Sequence, residues 1–241
     1  MPEDSSLYLP ILVGAVNNWK SGIDYQRDDE GENISSKNPF FNELTAMYWA
    51  WKNLEDTEYV GMVQYRRVFT DNKKQLANRE NFEEMLADCD VLLPKKRKYY
   101  IETNYSHYIH AHHKEPLNVT KQVISVLYPT YEDSFNKVMR RRSAHMFNMF
   151  VMKKTFFDDY STWLFGILSE VEKQVDISTY SVQEKRVFGY ISELLMDVWI
   201  DKNELDYKKL NWTILGPKHT FKKILFMILR KLRIGGEKTH F

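Results

Sequence analysis

A loop at residues 27–38 carries the densest set of chemically useful side chains in this sequence. Asp28 and Asp29 are adjacent carboxylates, which could bind sugar hydroxyls, hold a divalent cation through oxygen ligands, or act as a general base. A loop needs only turn residues, and Gly31 with the nearby serines already supplies them. The two acids are therefore candidate catalytic residues; the alternative is a solvated loop before a core helix.

The amides and the lysine of this loop predict an anion site at a helix start. Asn38 is a favourable N-cap and Pro39 suits the first helical position, so a helix is predicted to begin there. Its free N–H groups favour an anion, and Asn33, Lys37 and Asn38 become candidate ligand-binding residues. Alternatively, Asn33 and Asn38 are plain turn and cap residues.

Two arginines directly follow an apolar run at 59–63 that is typical of a short buried strand. The planar guanidinium groups of Arg66 and Arg67 suit the oxygens of a diphosphate. Because successive strand residues face opposite ways, both arginines reach one ligand only if the strand has ended by Tyr65. The alternative is one surface arginine and one structural arginine. Acids, amides, a helix start and an arginine pair together fit a pocket for a nucleotide-linked sugar.

A second polar stretch holds four of the seven histidines close to Glu102, namely His107, His110, His112 and His113. A metal site would require fixed geometry and supporting hydrogen bonds. A stretch this rich in tyrosine also suits stacking on sugar rings, with Tyr105, His107, His110 and His112 as candidate substrate-binding residues. Three interpretations stay open here: a metal site, a substrate-facing or acid–base role, and a surface loop.

A third candidate base, Glu193, lies on a helix predicted at 182–200. Tyr190, Glu193 and Asp197 share the face opposite the apolar stripe, so this face is either solvated or lines a cleft. Gly189 costs about 1 kcal/mol relative to alanine in mid-helix, which indicates that another group approaches closely there.

Two charged motifs have structural or open interpretations. Asp88 and Asp90 have the spacing of a metal-binding pair, but they precede their predicted strand and so fall at the wrong edge of the sheet. We interpret them as structural. The basic run at 95–98 is either a phosphate-binding edge or a solvated surface.

Composition predicts one large domain with a basic appendage. The 241 residues are 43% apolar and 15% aromatic, which suffices for a core, and the single Cys89 with no apolar leader points to the cytoplasm. Residues 217–241 carry net +6, which leaves −5 for the rest, a balance that argues against a general nucleic-acid binder. We expect an α/β domain at 1–215 and a basic amphipathic tail at 216–241, which either lies on anionic lipid or docks on the domain.

Short apolar runs alternate with helical patterns, which predicts a mostly parallel, Rossmann-like sheet flanked by helices. Strands are expected at 7–15, 59–63, 90–94 and 146–152; helices are expected from Asn38 and at 81–88, 118–127, 131–141, 155–175 and 180–201. Residues 95–117 are expected to be irregular. Ligands of such sheets bind at the carboxyl ends of the strands, where 64–67, 95–100 and the residues after Met152 fall.

With these motifs assembled, the chain resembles a bacterial family of capsular and extracellular polysaccharide synthesis proteins. This family, long described as a domain of unknown function, is regarded as glycosyltransferases with a GT-A-like, nucleotide-sugar-binding fold. The resemblance covers most of residues 8–200, in order, through the stretches DDEGENISSKNPFFNELTAMYWAWKN, YVGMVQYRRVF, DVLLPKKRKYYIETNYSHYIHAH, HMFNMFVMKK and QEKRVFGYISELL.

The resemblance implies a peripheral enzyme on the inner face of the bacterial plasma membrane. It would transfer a sugar, with uridine diphosphate galactofuranose as the expected donor, to a lipid-linked oligosaccharide by an inverting reaction. The acidic loop and the arginine pair form the implied donor wall and the Tyr/His stretch the acceptor wall; Asp28, Asp29 or Glu193 is the implied base. No metal ligand is assigned, and dependence on a divalent cation is left open.

Two departures from the family pattern bear on activity. Gln64 stands where relatives have histidine, which weakens a proton-transfer role at this position. Relatives also begin with a further strand before the position of Met1, so the chain is expected to lack that strand. The alternatives to an active enzyme are a shortened, non-catalytic sugar-binding relative and a metal-dependent hydrolase built on the histidine cluster.

Overall fold

The computed structural model describes residues 4–215, so the predicted tail at 216–241 lies outside the described residues. Its helices are α1 (Ala15–Asn18), α2 (Asn38–Phe41), α3 (Leu44–Asn53), α4 (Arg79–Leu86), α5 (Asn104–Ala111), α6 (Lys114–Leu127), α7 (Glu132–Arg140), α8 (Lys154–Gln174) and α9 (Val187–Asn203). Its strands are β1 (Ile11–Leu12), β2 (Gln26–Arg27), β3 (Tyr59–Met62), β4 (Arg67–Thr70), β5 (Val91–Pro94), β6 (Arg97–Lys98), β7 (Ser143–Ala144), β8 (Phe150–Lys153) and β9 (Tyr207–Ile214).

A five-stranded mixed sheet with the order β3-β8-β5-β9-β4 forms the centre of the domain. Strands β5 and β9 run parallel, whereas β3–β8, β8–β5 and β9–β4 are antiparallel pairs. The α/β class is confirmed, but the expectation of a mostly parallel sheet is wrong. Apolar runs between helices do not encode strand direction, and β4 and β9 were absent from the predicted strands.

The sheet is buried unequally on its two faces. A large apolar cluster, built mainly from α3 and α6–α9, covers one face, and a smaller cluster around α4 covers the other. Strand β5 alternates between them: Val91 and Leu93 belong to the large cluster and Leu92 to the small one. Burial on both faces explains why β5 reads as a continuous apolar run.

Two predicted elements are corrected where side chains impose local geometry. The helix expected from Asn38 divides into α2 and α3 at Asn42, which has φ 52° and ψ −126°. The Asn42 Oδ1 accepts a hydrogen bond from Arg186 Nε at 2.7 Å, so a tertiary contact supports the break. Residues 95–117 are not irregular throughout, because Thr103 and Ser106 form a capping box that begins α5.

The bounds of the first and last predicted strands, at 7–15 and 146–152, also differ from the prediction. Only Ile11–Leu12 of the run at 7–15 pairs as a strand, and it joins β2 in a separate two-stranded ribbon. Strand β8 begins at Phe150 instead of 146. Within residues 4–215, no helix combines the length and apolar character needed to cross a bilayer.

Candidate active site

One edge of the sheet collects the polar segments that sequence analysis singled out. The ends of β3, β5 and β9 meet the starts of β4 and β8 there, as the pairs Met62 with Phe150 and Arg67 with Ile214 show. Residues 64–67 and 95–100 therefore lie at this edge, as predicted. The residues after Met152 lie at the opposite edge, because β8 is antiparallel to β3 and β5. The segment that precedes β8 takes their place.

The segment before β8 makes an unusual turn at Phe147 and Asn148. Both have positive φ, 78° and 51°, a conformation that is uncommon for asparagine and strained for a bulky residue such as phenylalanine. Hydrogen bonds hold the turn on both sides: Gln64 Nε2 donates to the Phe147 carbonyl at 2.9 Å, and the Phe147 N–H donates to Glu193 Oε1 at 2.9 Å. The turn thus places Gln64 and Glu193 around one short piece of backbone.

Glu193 has the most perturbed carboxyl group at this edge. Burial raises its pKa to about 8, and the nearby charge of Glu43 contributes in the same direction. The Phe147 N–H and the charges of Arg67 and Arg97 act against the rise. The residue nonetheless keeps partial contact with solvent. A carboxyl group that titrates near neutral pH beside arginines has the properties of a general base.

Glu43 is a site residue that sequence analysis missed. Its Oε1 accepts from Asn148 Nδ2 at 2.8 Å, and Asn148 Oδ1 accepts from the Ser192 hydroxyl at 3.0 Å. This chain of hydrogen bonds fixes the strained turn against α9, next to Glu193. The available signal was an asparagine inside an apolar run, since asparagine tolerates positive φ better than most residues. Nothing in the sequence links Glu43 to Asn148. Their contact depends on the helix break at Asn42, which the sequence does not predict.

A tight turn at residues 64–67 joins β3, which ends at Met62, to β4, which begins at Arg67. The strand therefore ends before Tyr65, which is the condition for both arginines to reach one ligand. The backbones of Gln64 and Arg67 exchange two hydrogen bonds, at 3.1 and 2.9 Å. The Arg67 guanidinium lies 4.2 Å over the Phe147 ring and also donates to Gln64 Oε1. Arg66 is exposed over the Tyr65 ring at 5.1 Å. Arg67 is thus half-buried at the strained turn, and Arg66 is open to a ligand.

Asp28 lies in a structural environment in this fold, and its contacts do not support the predicted role as a base. Its fully buried carboxylate accepts from the backbone N–H groups of Gly14 and Ala15 at 2.7 and 2.9 Å. It also accepts from the hydroxyls of Ser35 and Thr45 at 2.5 and 2.6 Å. Four donors occupy the carboxylate, so Asp28 ties β2, α1 and α3 together and presents no free oxygen to a substrate.

The other loop residues are also engaged. Arg27 donates to both oxygens of Asp29 at 2.8 and 2.7 Å, and this pairing lowers the pKa of Asp29. The Asn33 amide bonds to the backbone within its own turn, and Lys37 pairs with Glu172 at 2.6 Å. Asn38 Nδ2 donates to the carbonyl of Asn42 at 2.9 Å and is the first residue of α2, not its cap.

The histidines lie on and after α5 with fixed partners. Glu102 accepts from two imidazoles, His107 Nδ1 at 2.7 Å and His110 Nδ1 at 2.6 Å, and these contacts lower its pKa. His112 stacks on Tyr190 of α9 with 4.1 Å between ring centroids. The Tyr105 hydroxyl donates to Asn118 Oδ1 at 3.1 Å. Among residues 4–215, no group of three or more His, Cys, Asp or Glu side chains is arranged to hold a metal ion.

The predicted polar face of α9 faces inward. Next to Glu193, Asp197 is buried and accepts from the backbone N–H and Nδ1 of His145, at 2.9 and 2.7 Å. Lys96 Nζ lies 3.3 Å from Asp197 Oδ1 and balances its charge. Burial lowers the pKa of His145, whereas its hydrogen bond to Asp197 acts in the opposite direction. The face is therefore part of the interior, with Glu193 at its accessible end.

The close approach predicted at Gly189 is confirmed, although the glycine lies in the first turn of α9 rather than in mid-helix. A Cβ at this position would come within 2.7 Å of Asn42 Nδ2. Asp88 and Asp90 lie before β5, at the opposite edge of the sheet from Glu193. Asp88 pairs with Lys208, and Asp90 accepts the N–H of Asp206; both contacts agree with the structural interpretation of this pair.

Comparison with known proteins shows the family of this chain. Residues 1–204 match the family described as a domain of unknown function, DUF4422. Among solved structures, the chain is similar to the apo structure of WbbM, a bifunctional glycosyltransferase, with a TM-score of 0.80 and 33% identity. The match covers 86% of this chain and 42% of WbbM, so the chain spans less than half of that protein. No curated protein shows a significant match. The chain therefore belongs to the DUF4422 family.

Proposed function

We propose that this chain is a glycosyltransferase that moves a sugar from a nucleoside diphosphate donor to a lipid-linked oligosaccharide in capsular or extracellular polysaccharide synthesis. The observation that carries the proposal is the 33% identity and TM-score of 0.80 with WbbM over 86% of the chain. The strand-edge cluster, which we define as Arg66, Arg67 and Glu193, supports it: Arg67 and Glu193, whose pKa is raised, both contact Phe147, and Arg66 is the exposed neighbour of Arg67.

In this proposal the arginines bind the diphosphate. As the bond between the anomeric carbon and the diphosphate oxygen breaks, negative charge accumulates on the leaving group. Arg66, exposed at the turn, would take up that charge together with Arg67, whose position is fixed by Phe147 and Gln64. Stabilising the departing diphosphate in this way lowers the barrier to transfer.

Glu193 is the proposed general base. The acceptor hydroxyl attacks the anomeric carbon, its proton passes to the Glu193 carboxylate, and the electron pair of the broken bond leaves with the diphosphate. A pKa of about 8 makes this carboxylate a stronger base than an ordinary glutamate, although the fraction that is ionised falls below that pH. Direct displacement of this kind inverts the anomeric centre.

The acceptor wall in this proposal is the α5 surface. Glu102 orients His107 and His110, and His112 and Tyr105 have partners on α9 and α6 respectively. Such oriented rings suit stacking on a sugar and hydrogen bonds to its hydroxyls. Uridine diphosphate galactofuranose is the proposed donor. Asn33, Lys37, Asn38, Asp28 and Asp29 are left out of direct substrate contact, because their polar groups already have partners.

Calorimetry with uridine diphosphate tests the donor site. Arg66→Ala and Arg67→Ala should each weaken binding about 10- to 100-fold, the range for a lost hydrogen bond to a charged group. Lys73→Ala is the matched control, since Lys73 is an exposed cation away from this turn. Arg66→Ala is the more informative variant, because Arg67 also packs on Phe147. Unchanged affinity in a folded Arg66→Ala protein would remove the arginine pair from the proposal.

A donor screen tests the activity itself. Purified chain is incubated with a panel of nucleoside diphosphate sugars, and released diphosphate is measured with and without a lipid-linked acceptor. Turnover of at least one donor is expected. Binding of uridine diphosphate without turnover of any donor would instead favour the non-catalytic sugar-binding relative.

Membrane attachment through residues 217–241 is a separate proposal. Seven basic residues of this segment flank an apolar run at 224–229, a composition suited to an anionic surface on the cytoplasmic side. Deletion of 217–241 should weaken salt-sensitive binding to anionic liposomes. Unchanged affinity after deletion would exclude this segment as an attachment site.

A further inference from the structure

The ribbon formed by β6 and β7 ends in an exposed apolar tip. Tyr100 and Ile101 follow β6 and are 78% and 86% exposed, among the most exposed large apolar side chains of the described residues. We call the segment 97–101 with Arg142 the ribbon tip. Isolated exposed apolar residues are common, but two adjacent ones at the end of a ribbon form a projecting apolar point.

A tight backbone turn at residues 99–101 presents the side chains of Tyr100 and Ile101 to solvent. Tyr100 has φ 59°, and the Ile101 N–H donates to the Tyr99 carbonyl at 2.6 Å, which closes a three-residue turn with positive φ at its centre. Such a turn is rare and strained for a residue with a side chain. The Tyr99 ring stacks on His107 at 4.0 Å, and Arg142 donates to the Tyr100 carbonyl at 3.2 Å. These contacts fix the base of the tip and leave its end free.

The tip is also basic. Arg97, Lys98 and Arg142 are exposed, and no ion pair within residues 4–215 involves any of the three. The adjacent acid, Glu102, is already bound to His107 and His110. Three cations outside any ion pair of residues 4–215 thus lie in the ribbon next to the apolar tip: Arg142 contacts the Tyr100 backbone, and Arg97 and Lys98 precede it in the chain.

We propose that the ribbon tip is a membrane-docking element, which inserts Tyr100 and Ile101 at the headgroup boundary of an anionic membrane. Tyrosine suits this boundary because its ring is apolar and its hydroxyl is polar, and isoleucine suits the acyl side. Arg97, Lys98 and Arg142 face the phosphate and carboxylate groups of anionic lipids. A single-stranded nucleic acid would use the cations and the tyrosine, but it leaves Ile101, the more exposed of the two apolar side chains of the tip, without a matching partner.

This docking goes beyond glycosyl transfer and does not depend on it. It adds a contact within the described domain that is separate from residues 216–241. Arg97, in the ribbon, also acts on the pKa of Glu193, so the ribbon and the strand-edge cluster are neighbours. A docked tip brings that cluster next to the lipid surface.

A site-specific fluorescent label tests the proposal in the full chain. Ile101→Cys is labelled with an environment-sensitive dye, and phosphatidylcholine vesicles with or without phosphatidylserine are added. Native Cys89 is buried and is expected to label poorly. A blue shift and an intensity gain are expected with the anionic vesicles alone. The control is labelled Val182→Cys, at an equally exposed residue (87%) outside the ribbon, whose emission should not change.

Attachment through the tail alone leaves both labels unchanged, and that result would overturn the proposal. The same holds if neutral vesicles give an equal shift, or if single-stranded RNA shifts the label and vesicles do not.

The affinity of the unlabelled chain for anionic vesicles is the second measurement. Tyr100→Ser with Ile101→Ser should weaken binding at least about tenfold, and Lys98→Glu at least about fivefold. Lys73→Glu is the charge control; equal losses in the control and in Lys98→Glu would mean nonspecific charge attraction.

Discussion

The loop at 28–38 and the cluster around Glu193 contain similar side chains but differ in how those side chains are used. In the loop, Asp28 accepts four hydrogen bonds and Asp29 is paired with Arg27. At the strand edge, Glu193 accepts a single backbone N–H and lies near a second carboxylate, Glu43. Acidic residues that are satisfied stabilise a fold, whereas one that is desolvated and under-bonded is poised to exchange a proton.

Backbone strain separates the two regions as well. The positive φ angles of Phe147 and Asn148 occur beside Glu193, whereas the positive φ of the 28–38 loop falls on Gly31, which adopts it without a penalty. Strain of this kind persists only where surrounding contacts enforce it, and it is concentrated at functional sites. The comparison therefore favours a structural role for the loop and supports the chemistry proposed for the strand edge.

The strongest way to break this comparison is Glu193→Gln. Loss of a general base should lower the transfer rate about 10²- to 10⁴-fold while the affinity for uridine diphosphate is retained. Glu43→Gln is the matched variant, and it should keep turnover. Because it removes a charge that raises the pKa of Glu193, the increase of the rate with pH should occur at lower pH than in the native chain. Full activity of a folded Glu193→Gln enzyme would contradict the assignment.

Asp28→Ala should produce the largest change in stability. The substitution leaves two backbone N–H groups and two hydroxyls without their acceptor in a buried place, so we expect the free energy of unfolding to fall by about 3–5 kcal/mol. Urea denaturation followed by circular dichroism measures it, with Ser35→Ala as a milder comparison at about 1–2 kcal/mol. An Asp28→Ala protein of normal stability that lacks turnover would return Asp28 to the catalytic site.

A smaller effect is the pH dependence of stability that Glu193 imposes. Its pKa is raised from 4.5 to about 8 in the folded chain, so the folded state holds a proton that the unfolded state has released. The contribution to stability is complete below pH 4.5 and disappears as the pH rises to about 8. Relative to Glu193→Gln, the native chain should lose about 1–3 kcal/mol over this interval, discounted for partial solvent contact. A constant difference between the two denaturation series would contradict the raised pKa.

Sequence reasoning located the elements whose signals are local. Strand β3, strand β5 and helices α4, α7 and α8 lie close to their predicted ranges, because periodicity and caps determine them. Strand β9 was missed although Leu210–Ile214 alternates apolar and polar residues, the pattern of a half-buried strand, because the predicted strands were all nearly continuous apolar runs. Strand direction was unpredictable because it depends on which strands pair, and the pairing is tertiary.

The site was predictable in part. Arg66, Arg67 and Glu193 were identified from residue type and spacing, and the structure brings Arg67 and Glu193 to one turn. Asn148 carried a local signal, an asparagine inside an apolar run, but Glu43 carried none, because its role depends on a helix break and a strained turn that tertiary contacts impose. At Asp28, by contrast, a residue type suited to catalysis satisfies buried donors, which residue type alone does not reveal.

Asn33→Ala has the smallest expected effect and tests whether the loop at 28–38 contacts the nucleotide. The Asn33 amide bonds only to backbone groups of its own exposed turn, so its loss should lower the free energy of unfolding by about 0.5–1 kcal/mol. Affinity for uridine diphosphate should not change in calorimetry, whereas Arg66→Ala, measured beside it, should weaken binding. If Asn33→Ala weakens binding as much as Arg66→Ala does, the loop reaches the nucleotide in the bound state. The division into a structural loop and a reactive strand edge then fails.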